Sequence, residues 1–369
     1  MDGSSITLHS PITVPLNRSL PSEGNLCEQI PRIVIEQFIH VLRESVKKRC
    51  LNQQSLCKKC FIRSINNFED NIEDRSSSDS EGDIVGPTVI PSKILEKECT
   101  HASTAILFSG GLDSTIIALL ADECVSKSFP IDLLNVAFDS DAPDRETGLN
   151  AWNELKTLRP NRRWNFVSIY ISKEELQTMR EKHIKHLVKP SQTVLDDSIG
   201  CAIWFAANGK GLLLEEHEVT SVYETPARVV LLGMGADEQL AGYSRHRRIF
   251  DRNGWSGLID ELALEIDRLS SRNLGRDDRV TSDHGREPRY PFLDEEVINF
   301  LNGIPVWHKC NLTLDRSAGE KLLLRKVAAR LGLCQTSQHL KRAIQFGSRI
   351  AKIEENREKG EHVCSRLAS

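Results

Sequence analysis

The sequence predicts an α/β fold, a doubly wound parallel sheet with a mostly helical C-terminal part. Three observations carry this. Short apolar runs at 105–108, 131–138, 164–171 and 229–232 have the length and composition of buried strands. Helical patterns at 145–158, 173–188 and 196–208 alternate with them through short links, the rhythm of a parallel sheet. Two glycine-rich turns stand at strand ends, Ser109-Gly110-Gly111-Leu112-Asp113-Ser114 and Gly233-Met234-Gly235-Ala236-Asp237-Glu238. An open α/β sheet gathers its ligand on that edge.

Taken in order, residues 1–31 are rich in Pro, Ser and Asn, with Pro11, Pro15, Pro21 and Pro31 interrupting regular structure, and read as a flexible segment. From 32 to 49, Ile33, Val34, Phe38, Val41, Leu42 and Val46 recur at helical spacing, and Lys47, Lys48 and Arg49 suit a helix C-terminus. That helix needs a surface to pack on. Residues 50–100 read as a polar, disordered insertion, centred on the acidic run from Ser76 to Asp83. The folded domain is expected at 101–350, helical beyond 236, and 351–369 as a charged tail.

The net charge of −4 gives no general attraction to nucleic acid or anionic lipid. No apolar run approaches the roughly 18 residues of a membrane span, and the N-terminus lacks the basic-then-apolar signature of a signal peptide. A soluble, cytoplasmic protein is expected, with its ten cysteines reduced. Cys57-Lys58-Lys59-Cys60 is a single C-x-x-C with no second close pair, and reads as free thiols in a loop.

The first glycine turn is built to hold phosphate. Gly110 and Gly111 let the backbone approach an anion, the helix start presents unpaired N–H groups, and Ser109 and Ser114 add hydroxyl donors. Asp113 has the wrong sign for phosphate unless a cation stands between them, which implies Mg2+. There is no Gly-Lys-Ser/Thr, so this is not a Walker A loop. In a parallel sheet both glycine turns fall on one edge, so Asp113 and Asp237 can converge on one cation.

Two further motifs follow, Glu287-Pro288-Arg289-Tyr290-Pro291-Phe292-Leu293-Asp294 and Gly319-Glu320-Lys321-Leu322-Leu323-Leu324-Arg325. In this order the four stretches resemble the synthetase domain of the asparagine synthetase family, ATP pyrophosphatases of the adenine nucleotide alpha hydrolase fold. The resemblance covers 32–49 and 101–350. It implies an ATP-dependent ligase of asparagine biosynthesis: the side-chain carboxylate of aspartate is adenylated, pyrophosphate leaves, and ammonia displaces AMP. By the same resemblance Ser109, Gly110, Gly111 and Ser114 hold the pyrophosphate part of ATP. Asp113 and Asp237 bind magnesium, Lys321 reaches the reacting phosphate, and Phe108, Ala137, Leu232 and Gly233 line the adenosine site. Arg289 and Asp294 read as scaffold. Asp196 and Asp197 stand near the family's amino-acid site, or simply complement a helix N-terminus.

Two departures qualify the expectation. Fewer than 105 residues precede the first strand, so the glutamine amidotransferase domain of the family is expected to be lacking, with ammonia coming from solution or from a separate glutaminase partner. Met234 stands where asparagine synthetases place a glutamate, and a thioether can neither ionise nor accept strong hydrogen bonds. Losing a catalytic acid or base costs roughly 10²- to 10⁴-fold in rate. Two alternatives therefore stand beside the ligase: adenylation of another substrate, and a nucleotide-binding pseudoenzyme acting as an interaction module.

Overall fold

The structure is a computed structural model describing residues 12–355 except 23, 25–28, 55–56, 64, 66–98, 192, 216–217 and 341. Seven strands form one sheet: β1 (Thr104–Leu107), β2 (Ile131–Ala137), β3 (Trp164–Tyr170), β4 (Lys210–Glu215), β5 (Glu218–Glu224), β6 (Val229–Leu231) and β7 (Glu287–Arg289), in the order β5-β4-β3-β2-β1-β6-β7. The central strands are parallel, with Ile106 opposite Leu133 on one side and Leu231 on the other. They read as mostly apolar runs because both faces are covered, with Asp132 and Asn135 of β2 as buried polar exceptions.

The principal helices are α1 (Arg32–Leu51), α2 (Leu112–Cys124), α3 (Pro143–Leu158), α4 (Val194–Asn208), α5 (Ser244–Leu269), α6 (Gly275–Ser282), α7 (Glu295–Gly303) and α8 (Leu322–Arg330). On one face, α1 packs on α2, α7 and α8 and buries Phe38, Ile39, Leu42 and Val46. Phe38 stacks on Phe300 with ring centroids 5.7 Å apart. On the other face α4 and α6 pack together, and Cys201, Ile203, Phe205 and Val280 meet Val136, Val230 and Leu232 of the sheet. The expected doubly wound architecture is present, and among the described residues no helix is long and apolar enough to cross a membrane.

Three details differ from the expectation. The sheet is mixed, because β4 and β5 add an antiparallel hairpin beyond β3. Leu212, Leu213 and Leu214 are consecutive and β5 is mostly exposed, so the hairpin shows no clear alternation of apolar and polar residues. Secondly, part of the N-terminal segment is pinned rather than flexible. The N–H groups of Thr13 and Val14 each donate to Asn299 Oδ1 at 3.0 Å, and those of Asn17 and the Asn302 side chain join this segment to α7. Asparagines on a helix surface can satisfy an extended backbone that has no sheet partner.

Thirdly, the described ends of segment 50–100 belong to the fold. Cys50 belongs to α1, and Cys57 and Cys60 are fixed against the sheet, where they meet Cys99 and His101. The acidic run itself lies outside the described residues, as do most of the expected tail residues, from 356 onward. The tail begins with a helix, Ile350–Glu355.

Candidate active site

The glycine turn after β1 is held from behind by a residue of β2. The buried Asn135 donates from Nδ2 to the carbonyls of Phe108, at 2.8 Å, and Asp144, at 2.9 Å, tying the turn to the start of α3. Gly110 adopts φ +74°, and a Cβ there would stand 2.4 Å from the carbonyl of Thr147, so only glycine permits this approach to α3. Gly111 caps α2, accepting from the Ser114 and Thr115 hydroxyls, while the Ser109 hydroxyl accepts from the Gly111 N–H at 3.2 Å. The turn thereby presents the first N–H groups of a 13-residue helix to the crevice.

Beside it, the turn after β6 carries two carboxylates with separate tasks. Glu238 lines the crevice with its carboxylate already engaged, accepting from the Gly235 N–H (3.2 Å), the Tyr243 hydroxyl (2.6 Å) and Asn273 Nδ2 (3.0 Å). Burial, first of all, and the neighbouring Glu238 and Asp237 charges push the Tyr243 phenol well above its usual range, which keeps it a donor to that carboxylate. Asp237 faces Lys321. Its Oδ1 lies 2.8 Å from Lys321 Nζ, and both oxygens of Asp113 lie 2.6–2.7 Å from the same nitrogen. The two aspartates, 124 positions apart in the chain, therefore face one point, because β1 and β6 are neighbours in register.

Lys321 is 1% exposed and stands at the cap of α8 with φ +55°, a left-handed conformation that costs a non-glycine residue about 1 kcal/mol or more. Burial disfavours its charge, but Asp113 and Asp237 more than offset that, and its pKa is raised. The ammonium is thus fixed as a cation. Room for it depends on Gly242, where a Cβ would fall 1.9 Å from Asp237 Oδ1 and 2.4 Å from Lys321 Cε. The loop at Gly233 is less tight, its Cβ position 3.0 Å from Asp113 Cβ.

These groups floor a crevice of about 700 Å³, of a size to take a small molecule. Phe108, Ser109, Gly111, Asp113, Ser114, Leu232, Gly233, Asp237 and Lys321 line it. Gly110 and Ala137 do not: Gly110 abuts α3 from behind, and Ala137 is buried at the end of β2, where Val136 lines the crevice instead. Met234 lines it as well. Arg248, Arg342 and Arg349 line it too, and Arg245 does so while paired with Glu265 at 2.7 Å, a cationic rim missed from the sequence because α5 and segment 342–349 are distant in the chain.

Asp196 reaches the crevice already paired, its Oδ1 2.6 Å from Arg276 Nη1, and it also accepts from the Thr193 hydroxyl. Asp197 is fully buried against Arg180, at 3.0 Å, and does not line the crevice. Arg289 and Asp294 are scaffold, though not as a mutual pair. Arg289 donates to the carbonyls of Arg49 and Asn52, and Asp294 caps α7 while holding Arg49 at 2.7 Å.

A sequence profile described as asparagine synthase matches residues 100–257 and 250–348. The chain belongs to the asparagine synthase family. Among its relatives, asparagine synthetase domain-containing protein 1 of Mus musculus is 42% identical over 99% of this chain and 62% of its own length, and that of Homo sapiens 42% identical over 98% and 61%. Asparagine synthetase (glutamine-hydrolyzing) 2 of Lotus japonicus is 25% identical over 63% of this chain and 36% of its own. The chain thus spans about six-tenths of the length of the curated relatives from Mus musculus and Homo sapiens.

Proposed function

We propose that this chain binds ATP with magnesium in the crevice and adenylates the side-chain carboxylate of aspartate, after which ammonia forms the amide. A carboxylate oxygen bonds to the α phosphorus as the bond to the bridging oxygen breaks and pyrophosphate leaves. Ammonia then bonds to the activated carbonyl carbon, AMP departs and a proton is lost. The observation that carries the reading is the convergence of Asp113, Asp237 and Lys321 at the point where the strand order turns, beside a helix N-terminus.

The two aspartates offer hard oxygen donors that already converge on one cation, the Lys321 ammonium, so the pair fits a magnesium ion. When bound there, that ion neutralises charge on the leaving pyrophosphate. The N–H groups opening α2 and the hydroxyls of Ser109 and Ser114 orient the same phosphates, Phe108, Leu232 and Gly233 enclose the adenosine, and Lys321 stabilises charge developing at the α phosphate. The arginine rim favours an anionic second substrate, and pairing with Arg276 removes the repulsion Asp196 would exert on aspartate.

The test is release of AMP and pyrophosphate by the purified chain with ATP, magnesium and ammonia, dependent on aspartate. Release that ignores aspartate, or none at all, contradicts the substrate. A second reading is favoured by Met234, which puts a thioether on the crevice wall: adenylation of another carboxylate or a nucleobase. Exchange of radiolabelled pyrophosphate into ATP across a panel of acids separates the two. ATP binding without exchange for any acid would point instead to a pseudoenzyme serving as an interaction module.

A further inference from the structure

At the opposite edge of the sheet from the crevice, four side chains with metal-ligating chemistry meet. Cys57 and Cys60 follow α1, while Cys99 and His101 immediately precede β1, and one donor atom from each lies within 4.8 Å of all the others. The Sγ atoms of Cys57, Cys60 and Cys99 stand 3.7, 3.4 and 3.6 Å from a single atom, Nδ1 of His101. A ring nitrogen has one in-plane lone pair and accepts from one thiol, so three sulfurs around it are not a hydrogen-bonded set. A shared cation explains the spacing. With zinc about 2.3 Å from sulfur and about 2.0–2.1 Å from nitrogen at tetrahedral angles, each S···N edge is about 3.6 Å.

We propose that Cys57, Cys60, Cys99 and His101 form a structural zinc site. Three thiolates and an imidazole are the donors that select zinc over magnesium or calcium, and four protein ligands close the coordination shell, leaving no position for substrate. The C-x-x-C half has the support such sites need: the Cys60 N–H points to Cys57 Sγ at 3.4 Å, and Lys58 is anchored by its N–H to Pro226 O (2.8 Å) and by Nζ to His284 O (3.1 Å). Around it, the Arg228 guanidinium lies 4.8 Å from the Phe61 ring centroid, and Arg163 donates to Thr100 O at 3.3 Å. The site's effect follows from topology. It joins Cys60 to Cys99 at the start of β1, so the two ends of the 38-residue stretch between them are held at one point.

The full chain, purified without chelators, should carry one zinc per molecule by elemental analysis. Cys60→Ser and Cys99→Ser should each lose at least nine-tenths of that zinc, while Cys334→Ser, at an exposed thiol elsewhere, keeps it. Replacement of the metal by cobalt should give the intense visible bands of a tetrahedral thiolate site in the unmutated chain, a readout that holds even where the variants fail to fold. Zinc content equal in all four proteins, an octahedral cobalt spectrum, or reduced chain that takes up no zinc from a chromogenic chelator would each overturn the proposal.

Discussion

Replacing Lys321 by methionine keeps the stem of the side chain and removes only its charge. Carboxylate oxygens 2.6 and 2.8 Å from one nitrogen are no more than about 5.4 Å apart, so Asp113 and Asp237 are left facing each other without a cation. At an effective dielectric of about 20, two unit charges at that separation repel by about 3 kcal/mol. Deleting one partner of a buried pair commonly costs about 3–5 kcal/mol, in agreement. For a domain of this size that is a fall in Tm of roughly 6–12 °C, measured by scanning fluorimetry in chelator. Millimolar magnesium, which can replace the lost cation, should restore most of the loss in the variant and shift the unmutated protein far less. A variant as stable as its parent in chelator, or one indifferent to magnesium, would refute the convergence of the two aspartates on a cation site.

Two further predictions concern the surroundings. Gly242→Ala places a methyl within 1.9 Å of Asp237 Oδ1, so the carboxylate and Lys321 must shift; we expect pyrophosphate exchange into ATP to fall about a hundredfold with the circular dichroism unchanged. Lys309 is fully buried, and its Nζ has no hydrogen-bond partner among the described residues. Burial pushes its pKa from 10.5 down to about 7. Between those values the unfolded chain holds the proton and the native chain does not, so stability rises with pH across this window and the penalty is full below it. Lys309→Met should therefore stabilise by up to about 4 kcal/mol at pH 7, as read by urea denaturation, with the gain shrinking towards pH 10.

Much of this was legible in the residues, and the rest was not for physical reasons. The central strands and both glycine turns announce themselves because buried parallel strands are continuously apolar and close backbone approach demands glycine. That Asp113 and Asp237 share one edge follows from parallel topology; their adjacency needs the further fact that β1 and β6 are neighbours. Asn135 escaped notice, since a single asparagine in an apolar strand gives no sign that it fastens the phosphate turn. β7 is three residues long and contains a proline, and β5 is mostly exposed, so neither carries a periodic signal. The four ligands of the zinc site are split by 38 intervening residues, and only the fold brings Cys99 and His101 to the C-x-x-C pair.

The most direct measurement is calorimetric titration of the full chain with ATP and magnesium, repeated on Asp113→Asn, which keeps the shape of the side chain and removes its charge. We expect a single site in the parent, dependent on magnesium, and affinity at least tenfold weaker in the variant, about 1.4 kcal/mol or more. No binding by the parent, or equal affinity in the two proteins, would contradict a magnesium-bound nucleotide held between the glycine turns.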